Sequence, residues 1–137
     1  MNRTNFQNLS ELRLRESQAL LHLGLPEGAY YLAGYAVECA LKACIAKRTQ
    51  QHDFPAKKLA NDSHTHDLAK LLDLAKLKGE LDAEFPSNSQ LEAQWEIILR
   101  WSEESRYQRQ MPHQAQDLLN AIENETGGLL PWIRARW

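Results

Sequence analysis

A chain of 137 residues, 43% hydrophobic and 25% charged, is long enough for one domain with a substantial core, and this composition excludes a disordered or fibrous protein. The formal net charge of −2 excludes a generic polyanion binder, so any contact with nucleic acid must come from a local basic patch. Residues 1–137 are read as a single domain, and the N-terminal Met-Asn-Arg-Thr-Asn-Phe-Gln lacks an apolar signal region, which points to a cytoplasmic location without a membrane.

Thr4 with Gln7 forms a capping-box pattern, and Phe6, Leu9, Leu12, Leu20 and Leu23 recur near helical spacing, predicting a first helix over 5–23. Gly24, Pro26 and Gly28 end it, and the short break returns the next helix antiparallel. That helix, over 28–49, is the centre of the chain. Between Tyr30 and Ala46 only Glu38 and Lys42 are charged, so the segment is apolar almost all the way round and belongs inside a bundle. A bilayer is the poorer home, because 17 residues is short for a span and both charges would sit near its middle. Glu38 and Lys42 are spaced to pair on one helix face, with Tyr31 and Tyr35 extending that stripe, and the carboxylate needs a partner because an unpaired one there is costly. Cys39 and Cys44 point to different faces and read as small buried residues.

Residues 50–64 lack periodicity and read as a long loop with Lys57 and Lys58 as a basic, solvated tip. Thr65 as N-cap and Leu68, Leu71, Leu72 and Ala75 predict a helix over 66–77, and a short turn follows from Glu80 to Phe85. Overlapping capping boxes, Ser87 with Gln90 and Ser89 with Glu92, start a helix lined by Leu91, Trp95, Ile98 and Ser102 that runs to about 106. After an interruption from Tyr107 to Pro112, the residues Ala115, Leu118, Leu119 and Ile122 define a helix to about 125. Gly127 and Gly128 break it, and Leu129–Trp137 predicts a last short helix folding Trp132 and Ile133 back on the bundle. The fold class is therefore all-α, without strands.

The run AYYLAGYAVECALKACIAKR at 29–48, followed by THDLAKLLDLA and RWSEESRY, resembles the HEPN domain family (higher eukaryotes and prokaryotes nucleotide-binding), a likeness covering roughly residues 5–135. The resemblance implies an antiparallel four- or five-helix bundle of HEPN type with a short C-terminal helix, and a two-fold homodimer. Many members are metal-independent ribonucleases of toxin or RNA-processing type with an Arg-x(4 to 6)-His motif. Others are non-catalytic modules that bind nucleotide or RNA, some beside a nucleotidyltransferase-type partner.

Arg106 and His113, with six residues between them, match that motif at its upper spacing. An imidazole can take the 2′-hydroxyl proton of RNA or protonate the leaving oxygen, and a guanidinium can hold the phosphate as charge builds, so no metal or other cofactor is expected. Two features depart from the catalytic pattern: Tyr107 follows the Arg where a small polar residue is common, and Pro112 precedes the His. Arg100, Arg109 and Tyr107 suit phosphate pairing and base stacking in either reading. His52, His64 and His66 with Asp53, Asp62 and Asp67 lack a metal-ligand framework, and His66 is expected to cap or pack near Thr65. The tryptophans Trp95, Trp101, Trp132 and Trp137 add to the expectation of a dimer, as more large apolar surface than a five-helix monomer readily buries.

Overall fold

The computed structural model describes residues 1–51 and 57–137, with all their side chains except those of Gln50 and Gln51. The helices are α1 (Arg3–His22), α2 (Pro26–Gln51), α3 (Lys57–Asp62), α4 (Leu68–Leu74), α5 (Lys78–Glu84), α6 (Ser89–Leu99), α7 (Pro112–Glu123) and α8 (Leu129–Arg134). A 3₁₀ turn covers Phe85–Ser87, and a longer 3₁₀ segment covers Glu103–Tyr107. There is no strand among the described residues, and no helix among them is long and apolar enough to cross a membrane.

Helix α2 is the axis of an all-α bundle, packed against by α1, α4, α7, α8 and the 3₁₀ segment. Its small side chains set how close these neighbours come: Ala29, Ala33, Ala36 and Ala40 are fully buried, beside Val37 and Leu41. The apolar positions predicted for the later helices point inward, whereas Ser102, expected on the same face as Trp95 and Ile98, is exposed beyond the end of α6. Leu68, Leu71, Leu72 and Ala75 of the α4 region, Leu91, Trp95 and Ile98 of α6, and Ala115, Leu118, Leu119 and Ile122 of α7 are all buried.

Helix α1 uses a different face from the one its leucines suggest. Its buried positions are Ser10, Leu14 and Ser17, whereas Leu12 and Leu23 are exposed. Ser10 Oγ donates to the Ala36 carbonyl at 2.8 Å, and Ser17 Oγ donates to the Ala29 carbonyl at 2.6 Å. Donors and acceptors are each seven residues apart, running in opposite directions, so the two hydroxyls fix the antiparallel register of α1 on α2. Small hydroxyl residues satisfy themselves on backbone carbonyls and let the helices approach closely, which bulky leucines at the same positions would prevent.

The boundaries also moved. The cap of α1 is Asn2, whose side chain accepts from Asn5 N–H while Asn5 returns the bond, rather than Thr4 with Gln7. Asp67, not Thr65, caps α4 by accepting from Lys70 N–H, and Asn88 caps α6 by accepting from Leu91 N–H. Helix α4 stops at Leu74 because Lys76 takes a left-handed φ of 60° and the Leu77 N–H closes back on the Leu72 carbonyl. Part of the expected loop 50–64 is helical: Leu59 packs on the core, Lys58 pairs with Asp62 across one turn, and Ser63 Oγ donates to the Leu59 carbonyl.

The most consequential correction is the end of α6, which stops at Leu99 and not near 106. Arg100 and Trp101 N–H groups bond tightly back to Ile97 and Ile98 carbonyls, and Ser102 then becomes extended at φ −145° and ψ 165°. The cause lies on α2. Trp101 is buried with its indole against Gly34, where an added Cβ would overlap the ring, and it stacks beside Tyr31 at 6.2 Å between centroids. Continuing the helix would carry this indole away from its slot.

The C-terminal helix is held to the bundle by Leu129, Leu130 and Ile133, all fully buried, and ion pairs at the surface add to this. Arg134 makes a two-pronged contact with Glu11 at 2.8 Å for each bond, and Arg136 lies 3.8 Å over the Trp132 ring while reaching Glu80. Arg3 donates to the carbonyl of Trp137 at 2.7 Å.

Candidate functional site

The buried Trp101 plants the 3₁₀ segment Glu103–Tyr107 on α2, and Met111 as N-cap with Pro112 at the first position starts α7 a few residues on. Arg106, Tyr107, Arg109 and His113 all lie in this corner and all are exposed. The Arg106 guanidinium stands 4.8 Å over the Tyr107 ring, an exposed cation–π pair. Tyr107 is the main influence raising the guanidinium above its usual range, and Tyr31 adds to it. Arg109 is 97% exposed, with its Nε 3.1 Å from Glu27 in the first turn of α2. His113 occupies the second position of α7, where Gln114 Oε1 accepts from Met111 N–H. No hydrogen bond among the described residues joins Arg106 to His113. Arg100 caps α6 on the exposed surface, and its charge opposes the rise that burial imposes on the Tyr30 phenol.

A second group of functional-type side chains lies inside. Glu38 is 1% exposed and accepts from Lys42 Nζ at 2.9 Å, as the spacing predicted. Its other partner is His66, whose Nδ1 lies 3.0 and 3.1 Å from the two carboxylate oxygens. The opposite ring nitrogen, Nε2, lies 3.2 Å from Glu103 Oε2 at the head of the 3₁₀ segment. His66 therefore bridges two carboxylates instead of packing near Thr65. Its role was hidden in the sequence because residues 38, 66 and 103 share no local spacing. The available signal was valence: a buried carboxylate has more acceptor sites than one lysine fills, so a further donor had to arrive from elsewhere.

A cleft of about 570 Å³ opens between α1, α2 and α3, walled by Phe6, Leu9, Ile45 and Leu59, with Glu38 and Lys42 also lining it. A smaller hollow of about 410 Å³ is lined by His66, Asp67, Trp101, Glu103 and Glu104. Among the described residues no group of three His, Cys, Asp or Glu side chains is placed to hold a metal ion. His52 and Asp53, considered with His64 as ligands, lie outside the described residues. Comparisons with protein-family models, curated proteins and solved structures find no match.

Proposed function

We propose that the protein acts on RNA at the corner formed by the 3₁₀ segment and the start of α7, as a metal-independent endoribonuclease of the type its sequence resembles. The supporting observation is the group of Arg106, Tyr107, Arg109 and His113, all exposed, with the cation of Arg106 set over an exposed aromatic ring. An exposed tyrosine beside guanidinium groups suits base stacking together with phosphate pairing. In the reaction, His113 takes the proton of a ribose 2′-hydroxyl, the 2′-oxygen bonds to phosphorus, and the bond to the 5′-oxygen breaks as that oxygen takes a proton from water. The products are a 2′,3′-cyclic phosphate and a 5′-hydroxyl. Arg106 holds the phosphate oxygens as negative charge builds on them. His113 sits at the N-terminus of a 12-residue helix, whose dipole attracts a phosphate. A homodimer would set two such corners face to face.

A second reading rests on the same corner, because Arg106 set over the Tyr107 ring can hold a phosphate and a base without His113 taking part. In it the corner binds RNA or nucleotide without cutting, and a nucleotidyltransferase-type protein is the partner. Incubation of the purified protein with structured and unstructured RNA in EDTA separates the two. Cleavage with cyclic-phosphate ends, lost on the order of a hundredfold or more in His113→Ala while RNA binding persists, is the outcome expected of the nuclease. Retained cleavage in His113→Ala removes His113 as catalyst. Binding without cleavage by the unmodified protein establishes the second reading instead.

A further inference from the structure

We infer that His66 is a positioning residue that ties the Glu103–Tyr107 segment, with Arg106 and Tyr107 on it, to the central helix. The inference rests on the functional reading of that corner only for its consequence; the tie itself stands on geometry. The segment is short and 3₁₀, and the amides that close it donate from Ser105 to Ser102 at 3.0 Å and from Gln108 to Ser105 at 3.1 Å. Such short runs have poor hydrogen-bond geometry and hold their place through tertiary contacts. Two contacts anchor this one. Trp101 is its apolar anchor, and the imidazole between Glu38 and Glu103 is its polar anchor.

Amide hydrogen-exchange protection factors of Ser105 and Gln108 test this without any RNA. His66→Ala is expected to lower both by about two- to fivefold, the scale of one partly exposed ion pair, while α7 amides such as Leu118 and Leu119 keep their protection. Glu103→Gln should lower them similarly, and the double variant should lose no more than either single one. Unchanged protection in His66→Ala, or losses that simply add, would overturn the tie. If His66→Ala proves globally loosened, Glu103→Gln decides alone, because Glu103 is half-exposed and outside the core. A protein that binds no RNA would sink the proposed function, with the exchange data still deciding the role of His66.

Discussion

At the scale of single residues, burial decides what each reactive group can do. Burial foremost, with Glu38 adding, pushes the Cys39 thiol up to about 12, and burial pushes Cys44 up to about 11, so neither is a thiolate near neutral pH. An alkylating reagent at pH 8 should leave both unmodified in the folded protein and label both after denaturation, as intact mass would show. The sign for stability follows. Above the ordinary thiol value of 9.0 the unfolded chain gives up protons that the folded chain keeps, so these two groups reduce stability between 9 and about 12 and have no effect below. Glu38 is the other residue whose surroundings define it. Glu38→Ala leaves Lys42 and His66 facing each other without their shared acceptor, and a loss of about 3 kcal/mol is expected, at the low end for a broken buried pair because both partners keep some solvent. A melting temperature equal to that of the unmodified protein would contradict this.

Among the elements, α1 shows how apolar periodicity can mislead. Its leucines outnumber its buried serines, yet the serines face α2, because two hydroxyls bonded to the Ala29 and Ala36 carbonyls allow an approach that branched side chains do not. Ser17→Leu raises the hydrophobicity of α1 and should nevertheless destabilise the protein by about 1–3 kcal/mol through overpacking, read from denaturant unfolding. Equal or higher stability would mean that the α1–α2 contact is looser than its hydrogen bonds indicate. In α4, α6 and α7, by contrast, the apolar positions at helical spacing are the buried ones, since nothing smaller competes for the contact.

For the whole molecule, the four tryptophans are accommodated within the single chain: Trp95 and Trp101 are buried, and Trp132 and Trp137 pack on the core. The case for a homodimer passes instead to the exposed apolar side chains. Leu23 and Leu25 in the α1–α2 turn are 71% and 51% exposed, and Tyr107 and Met111 are 73% and 58% exposed near Arg109, which reaches across to Glu27 just beyond that turn. Leu23, Leu25 and Met111 are the side chains on which a second copy of the chain is expected to pack. A dimer mass by light scattering across the micromolar range is expected, shifting toward monomer in Leu25→Glu. A monomer at every concentration would remove this surface as a self-interface.

The sequence alone determined the helical class, the buried central helix, the Glu38–Lys42 pair and the inward faces of α4, α6 and α7, because helix formation and amphipathic spacing are local properties of a few turns. It also drew attention to Arg106 and His113 as chemistry-bearing groups through their spacing and the family likeness. What only the tertiary structure decided depends on residues far apart in the chain. Whether α6 ends at 99 is settled by a glycine on α2 that admits the Trp101 indole. Which residue completes the partners of Glu38 is settled by a histidine brought to it from the turn before α4. Helix periodicity carries no information about such meetings, since the contacts form only when packed helices bring distant residues together and bury their polar atoms in common.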